Sequence, residues 1–338
     1  MRRSMITATP VAAALLLLAA TASPQPASPP VPQQGTIERG LDVGTGGTLN
    51  VTASFGSIEV TTVASSRVEV RVVREVREPY EDDAERILSE YEVDFSQSGS
   101  DVAVTAEVGN DARDRWRNEY ASTPLRVRFE ISVPRSYNVH LETRGGNIEV
   151  ADLDGEVRTE TAGGNLTFGD IDGTVWARTA GGNIRLEGSS GSAEIRTSGG
   201  NITIGDVEGT VDAETSGGSI HIERAGGDVR AETAGGNVTI DEVAGTINAT
   251  TSGGNVAATI TAQPTGDCNL ETSAGTVTVT LAEGIGFDVD AGTSVGGVSV
   301  DFPVDGRVSR NAVRGAINGG GPQLRLRTSA GSIRIRER

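Results

Sequence analysis

Three pairs of carboxylates recur in register: Asp152 and Asp154, Asp170 and Asp172, and Asp206 and Glu208. Stacked acidic turns can bind Ca²⁺, which takes six to eight oxygens, and paired carboxylates serve as acid and base in glycoside hydrolysis. The Ca²⁺-binding nonapeptide G-G-x-G-x-D-x-U-x is absent, and the acidic positions lapse at Gly188-Ser189-Ser190 and in part along Asp241-Glu242-Val243-Ala244. Turns this short cannot wall the cleft that a glycan-cleaving enzyme needs. Solvated turns are therefore expected, with calcium kept as the alternative.

The other reactive types are sparse. His140 and His221 fall on strand positions far apart, without H-E-x-x-H or a Cys/His cluster, so they suggest no zinc site. A Ser-His-Asp arrangement has no nucleophile-elbow motif behind it. Cys268 is the only cysteine, which excludes an intrachain disulfide and reads as a packing residue. The stretch Arg113-Asp114-Arg115-Trp116-Arg117 reads as a solvated loop with a packed Trp, with ligand recognition as the alternative. Arg325, Arg327, Arg334, Arg336 and Arg338 alternate along the last strands, as charged edge protection or as a patch for anions. No catalytic, cofactor-binding or metal-binding residue is assigned.

The elements that carry these groups come from a repeat. Gly-Gly-Asn begins at Gly145, Gly163, Gly181, Gly199, Gly235 and Gly253, and Gly-Gly-Ser at Gly217, every step being 18 residues. A fixed period near 20 indicates a solenoid. Within a unit, Leu166 and Phe168 flank Thr167, and Ile202 and Ile204 flank Thr203, the alternation of a strand. A second strand follows at Val175-Trp176-Ala177 and Val211-Asp212-Ala213. The fold predicted is all-β: a single parallel β-helix with about 18 residues and two short strands per coil. Its columns include Ile148, Leu166, Ile184, Ile202, Ile220, Val238 and Val256, and a Thr column runs from Thr161 to Thr251. One coil cannot bury enough apolar surface to offset its own ordering, so stability must come from its neighbours.

Around the regular array at 141–262 the pattern loosens. Gly56-Ser57-Ile58-Glu59-Val60 with Val68-Glu69-Val70 reads as an early coil. The 71–140 segment reads as an insertion or cap, with Tyr80, Ala84, Ile87, Leu88 and Tyr91 on one face of a short helix. Val102–Val104 and Val127–Ile131 read as strands within it. Irregular coils and a second cap are expected over 263–338, completing a solenoid domain at 40–338. Ahead of it, Arg2 and Arg3, an apolar run at 11–20 and Ala20-Thr21-Ala22 predict a cleaved signal at 1–22. Ten apolar residues are too few to span a bilayer of about 30 Å. Residues 23–39 are expected to be a Pro-rich linker.

Composition narrows the function classes. Gly contributes 45 of 338 residues and aromatics only 4%, unlike a conventional large enzyme core. A net charge of −17 argues against nucleic acid as partner, because phosphate contacts need a basic face.

The run Ile131-Ser132-Val133-Pro134, then Val139-His140-Leu141-Glu142-Thr143 and Gly145-Gly146-Asn147-Ile148-Glu149-Val150, resembles a widespread bacterial putative-adhesin β-strand-repeat family with a domain of unknown function. The resemblance covers residues 40–338 and carries no catalytic motif. Together with the signal at 1–22 and the lack of another apolar run of membrane length, it suggests an exported, non-enzymatic solenoid at the periplasm, cell surface or exterior, with a cell-envelope polymer or surface protein as partner, no cofactor and no membrane span. A polysaccharide-active β-helix enzyme and a regulatory envelope protein are the competing readings.

Overall fold

The 18-residue period becomes a stack of coils in the computed structural model, which describes residues 35–120 and 122–338. The expected signal at 1–22 and residues 23–34 of the expected linker lie outside the described residues. The end of that linker is corrected: Ile37–Asp42 is a strand paired antiparallel with Arg67–Val76.

Among the described residues the strands form two sheets, one of fourteen and one of fifteen strands. Each regular coil gives one strand to each sheet. In the first sheet Ile148, Leu166, Ile184, Ile202, Ile220, Val238 and Val256 are successive register partners. In the second, Val157, Val175, Ala193, Val211, Val229 and Ile247 stack in the same way. All thirteen are buried in one continuous core. Period-two alternation thus becomes an apolar inner face and a polar outer face on each sheet.

The Thr column also points inward, where an unsatisfied hydroxyl would be costly. Each hydroxyl donates to a glycine carbonyl of the preceding coil: Thr161 to Gly146 at 3.0 Å, Thr179 to Gly164 and Thr197 to Gly182 at 2.9 Å. Beside it, Asn147 Oδ1 accepts the Asn165 amide at 2.9 Å, and Asn165 Oδ1 the Asn183 amide at 2.8 Å. Where Ser219 replaces Asn the ladder continues, its hydroxyl accepting the Asn237 amide at 3.1 Å. The second glycine of each pair is sterically required. A Cβ on Gly164, Gly182 or Gly200 would lie 1.8–2.0 Å from the carbonyl oxygen of the glycine one coil earlier.

Both ends depart from chain order. The early coil consists of Thr48–Ala53 and Ser57–Val63. Val68–Val70, expected as its second strand, instead runs antiparallel to Leu125–Pro134 in the same sheet as Ser57–Val63. The early coil lies between the Asn138–Thr143/Ile148–Val150 coil and the later Asp101–Val108/Leu125–Pro134 rung. At the other end, Gln323–Ala330 and Ile333–Glu337 slot between Cys268–Ala274/Val277–Leu281 and Phe287–Val295/Val298–Val300. First and last coils are therefore both paired on two sides. The sheet edges are Ile37–Asp42, Tyr91–Ser98, Val298–Val300 and Asp305–Val308.

The 71–140 segment adds strands to both sheets. Its expected helix is shorter than the spacing suggested: a 3₁₀ turn at Glu81–Asp83 leads into α1, Ala84–Ser89, and Tyr91 already begins a strand. The stretch expected as a loop at Arg113–Arg117 lies within a second helix, α2, Asn110–Glu119.

Candidate functional site

Outward positions of neighbouring rungs stand side by side, so residues 18 apart in sequence become partners. On the fifteen-stranded sheet this makes a continuous charged face. The Arg158 guanidinium lies over the Trp176 ring, 3.8 Å from its centroid, and Trp176 Nε1 donates to Glu194 at 3.1 Å. Arg196 bonds Glu194, Asp212 at 2.9 Å and Glu214 at 3.3 Å. Arg230 continues the ladder to Glu232 at 2.7 Å. Each exposed ion pair adds little stability alone; together they hold long side chains in a defined pattern. The other sheet has its own links: Arg224 bridges Asp206 and Glu242, and Arg338 reaches Glu242 at 2.6 Å. Hydrogen bonds from Arg338 and then Arg224 hold the Glu242 carboxyl below its ordinary value.

The six carboxylates of the acidic turns mostly have structural partners. Asp152 Oδ1 accepts the Asp170 amide at 3.0 Å, Asp154 pairs with Arg135 at 3.1 Å, and Asp206 with Arg224 at 2.9 Å. Asp172 accepts the Ser190 hydroxyl. Asp154, Asp170, Asp172, Asp206 and Glu208 line a surface depression of about 270 Å³. Among the described residues no three His, Cys, Asp or Glu side chains are grouped to hold a metal ion.

The remaining sequence candidates are dispersed. His140 sits on Asn138–Thr143 beside Asn50 and Arg158. His221 is 3.6 Å from Asp241 on the outer face of the fourteen-stranded sheet. Cys268 is buried in the core, and burial pushes its thiol pKa up, away from a reactive thiolate. The edge-protection reading of the C-terminal arginines is corrected. Arg325 and Arg327 lie on an interior strand, as do Arg334 and Arg336, because the last coil is intercalated. Arg327 bonds Asp290 on the next strand, joined by Arg314 at 3.0 Å. Burial alone would raise the Asp290 carboxyl pKa, but these two arginines hold it below the ordinary value. The sequence alone marks this face as charged, with Arg158, Glu160, Glu194, Arg196, Asp212, Glu214, Arg230 and Glu232 beside the Thr column; it does not reveal the Arg158–Trp176 stack, although Trp176 is the one Phe, Tyr or Trp in its column.

A family model described as Toastrack DUF4097 matches residues 55–239 and 228–336. Among solved structures, a putative adhesin from Parabacteroides distasonis is 11% identical, with 90% of this chain and 98% of that chain covered and a TM-score of 0.31. A putative adhesin from Bacteroides fragilis is 10% identical, with 91% and 99% covered and a TM-score of 0.29. A putative cell adhesion protein from Clostridium sporogenes is 11% identical, with 90% and 100% covered and a TM-score of 0.21. No curated protein matches the sequence.

Proposed function

The chain belongs to the Toastrack DUF4097 family, and from that premise we propose an exported, non-catalytic scaffold that binds a cell-envelope polymer or surface protein along its outer sheet faces. One observation carries this reading: the in-register face of the fifteen-stranded sheet, running from Arg158 and Trp176 through Arg196 to Arg230. Its repeat suits a partner that itself repeats, since weak contacts on successive rungs act together. Trp176, half-exposed between Arg158 and Glu194, is its most apolar anchor, and Trp and Arg are the residue types that dominate binding surfaces. The lone thiol is buried and the acidic turns spend carboxylates on backbone amides and arginines, which supports a binding rather than a catalytic role. The predicted signal at 1–22 supports export, and among the described residues no helix is long and apolar enough to cross a membrane.

The test is retention of the purified protein on isolated envelope fractions and on a glycan array. Replacing Arg158 and Trp176 together by Ala is expected to weaken retention by about fivefold or more, with unchanged far-UV circular dichroism. Retention unaffected by the double substitution, or reducing sugar released from a bound glycan, would overturn the reading.

A further inference from the structure

One corner of the solenoid breaks its own repeat. Ala53 pairs with Thr143, so counting on one residue places Ser54 beside Arg144, and two residues places Phe55 beside Gly145. In the six coils that follow, the Arg144 position holds Ala162, Ala180, Ser198, Ser216, Ala234 and Ser252. The Phe55 position is glycine throughout the same series. A large aromatic and a guanidinium thus stand where the turn otherwise carries only small residues.

The two departures meet the second helix. Phe55, Trp116 and Tyr120, with Arg113, Arg117 and Arg144, line a pocket of about 440 Å³, a volume suited to a small organic molecule. Its aromatic floor is held from behind. The Phe55 and Trp116 ring centroids are 6.2 Å apart, and the Trp116 indole nitrogen donates to Glu90. Tyr120 is packed edge-on against Tyr80, and its hydroxyl accepts from Arg86 at 2.8 Å. The charged lining is entirely cationic, whereas the depression over the acidic turns and that around Asp290 both include carboxylates. Arg113 is partly engaged, by the Val108 carbonyl and Glu107, and Arg117 pairs at 3.4 Å with an exposed Asp114. Arg144 has no hydrogen-bond or ion-pair partner among the described residues.

We propose that this corner binds a small organic anion: a carboxylate or phosphate carried on an aromatic body. The ring lies against Phe55 and Trp116, and the anionic group is met by Arg144 with Arg117. A planar guanidinium suits either anion through paired N–H donors. An apolar floor with a cationic rim discriminates against an inorganic anion, which gains nothing from the rings, and against a neutral ring, which gains nothing from the arginines. This pocket is separate from the sheet face proposed above, so either reading can fail alone.

The test uses the emission of Trp116 in a Trp176→Phe background, since the chain has two tryptophans. Phenyl phosphate and phenylacetate are titrated in parallel with inorganic phosphate and phenol. Saturable change is expected with one or both aromatic anions, at concentrations at least about tenfold below those needed for phosphate or phenol. Arg144→Ala and Phe55→Gly install residues that the repeat carries at these turns, and each is expected to weaken binding about tenfold with native circular dichroism. No saturable response to either aromatic anion at millimolar concentration would overturn the proposal. So would affinities unchanged in both variants, or equal binding of inorganic phosphate.

Discussion

The paired glycines allow a sharp test of rung stacking, because the two members of each pair face different surroundings. An alanine Cβ at 182 would lie 1.9 Å from the Gly164 carbonyl oxygen and 2.4 Å from its carbon, where contacts under 3.0 Å are essentially never found. The rungs must therefore part locally by roughly 1 Å in a tightly packed interior. Three hydrogen bonds meet at that turn: Thr197 Oγ1 to Gly182 O at 2.9 Å, Gly182 N to Thr179 Oγ1 at 3.3 Å, and Asn183 N to Asn165 Oδ1 at 2.8 Å. Losing them costs about 1 kcal/mol each, and overpacking adds about 1–3 kcal/mol. Gly182→Ala is expected to destabilise by about 4–6 kcal/mol. A Cβ on Gly181 meets nothing within 4 Å, and its φ lies outside the left-handed region. Gly181→Ala should be neutral or stabilising by up to about 1 kcal/mol through the unfolded chain. Denaturant midpoints give the global effect, and amide hydrogen exchange over residues 179–201 its location, since coils of a long array can open separately. Indistinguishable stability of the two variants would refute the reasoning.

Three further outcomes follow from the same geometry. Thr197→Val removes a buried donor from the Gly182 carbonyl and should cost about 1–3 kcal/mol by denaturation, while Thr197→Ser keeps most of the stability; an equally stable Val variant would show that the hydroxyl contributes nothing. Arg327 and Arg314 hold the folded Asp290 carboxyl below its unfolded value of about 3.9, so its stabilisation is complete above that pH and is lost as pH falls through the folded pKa. Melting temperatures of the native protein and Asp290→Asn should differ near neutrality and converge in acid, and a difference that persists or grows in acid would contradict the pairing. Cys268 should resist thiol reagents at neutral pH until denaturant is added, and rapid labelling of the folded chain would contradict its burial.

The regular coils were legible because two periods coincide. Apolar residues alternate every second position, and Gly-Gly-Asn returns every 18, so both strand faces and stacking register can be read from a single chain. Ile184, Ile202 and Ile220 are direct partners for that reason. The inward direction of the Thr column was less visible, because threonine's composition does not reveal that a glycine carbonyl one rung away will accept its proton. At the ends the periods fail. Nothing in Ser329–Ile333 signals that the last coil enters between two earlier ones, since sequence order carries no information about which edge a late strand joins. Arg325 to Arg336 therefore read as an edge although their strands are interior. Arg113–Arg117 read as a loop because five consecutive polar or aromatic residues hide a helix whose buried face is only Ala112 and Trp116.

The same contrast explains where function can be sought. A residue that obeys the repeat is accounted for by stacking: Thr satisfies a carbonyl, Asn an amide, and the second Gly clears its neighbour. A residue that departs from its column has no such account and must answer to something local. Gly188-Ser189-Ser190 departs from the acidic turns, yet Ser189 Oγ donates to the Gly173 carbonyl at 2.7 Å, so that departure closes on the fold itself. Arg144 with Phe55, alone among Ala, Ser and Gly at their turns, does not close in this way, and Trp176, alone among Arg, Glu and Asp on its face, closes only onto Arg158 and Glu194 of that same outer face. Trp176 and Phe55 keep part of their apolar surface outside the core, and Arg144 keeps its charge unspent among the described residues. In a solenoid the array is its own internal control, and these unexplained columns are where a ligand has room to act.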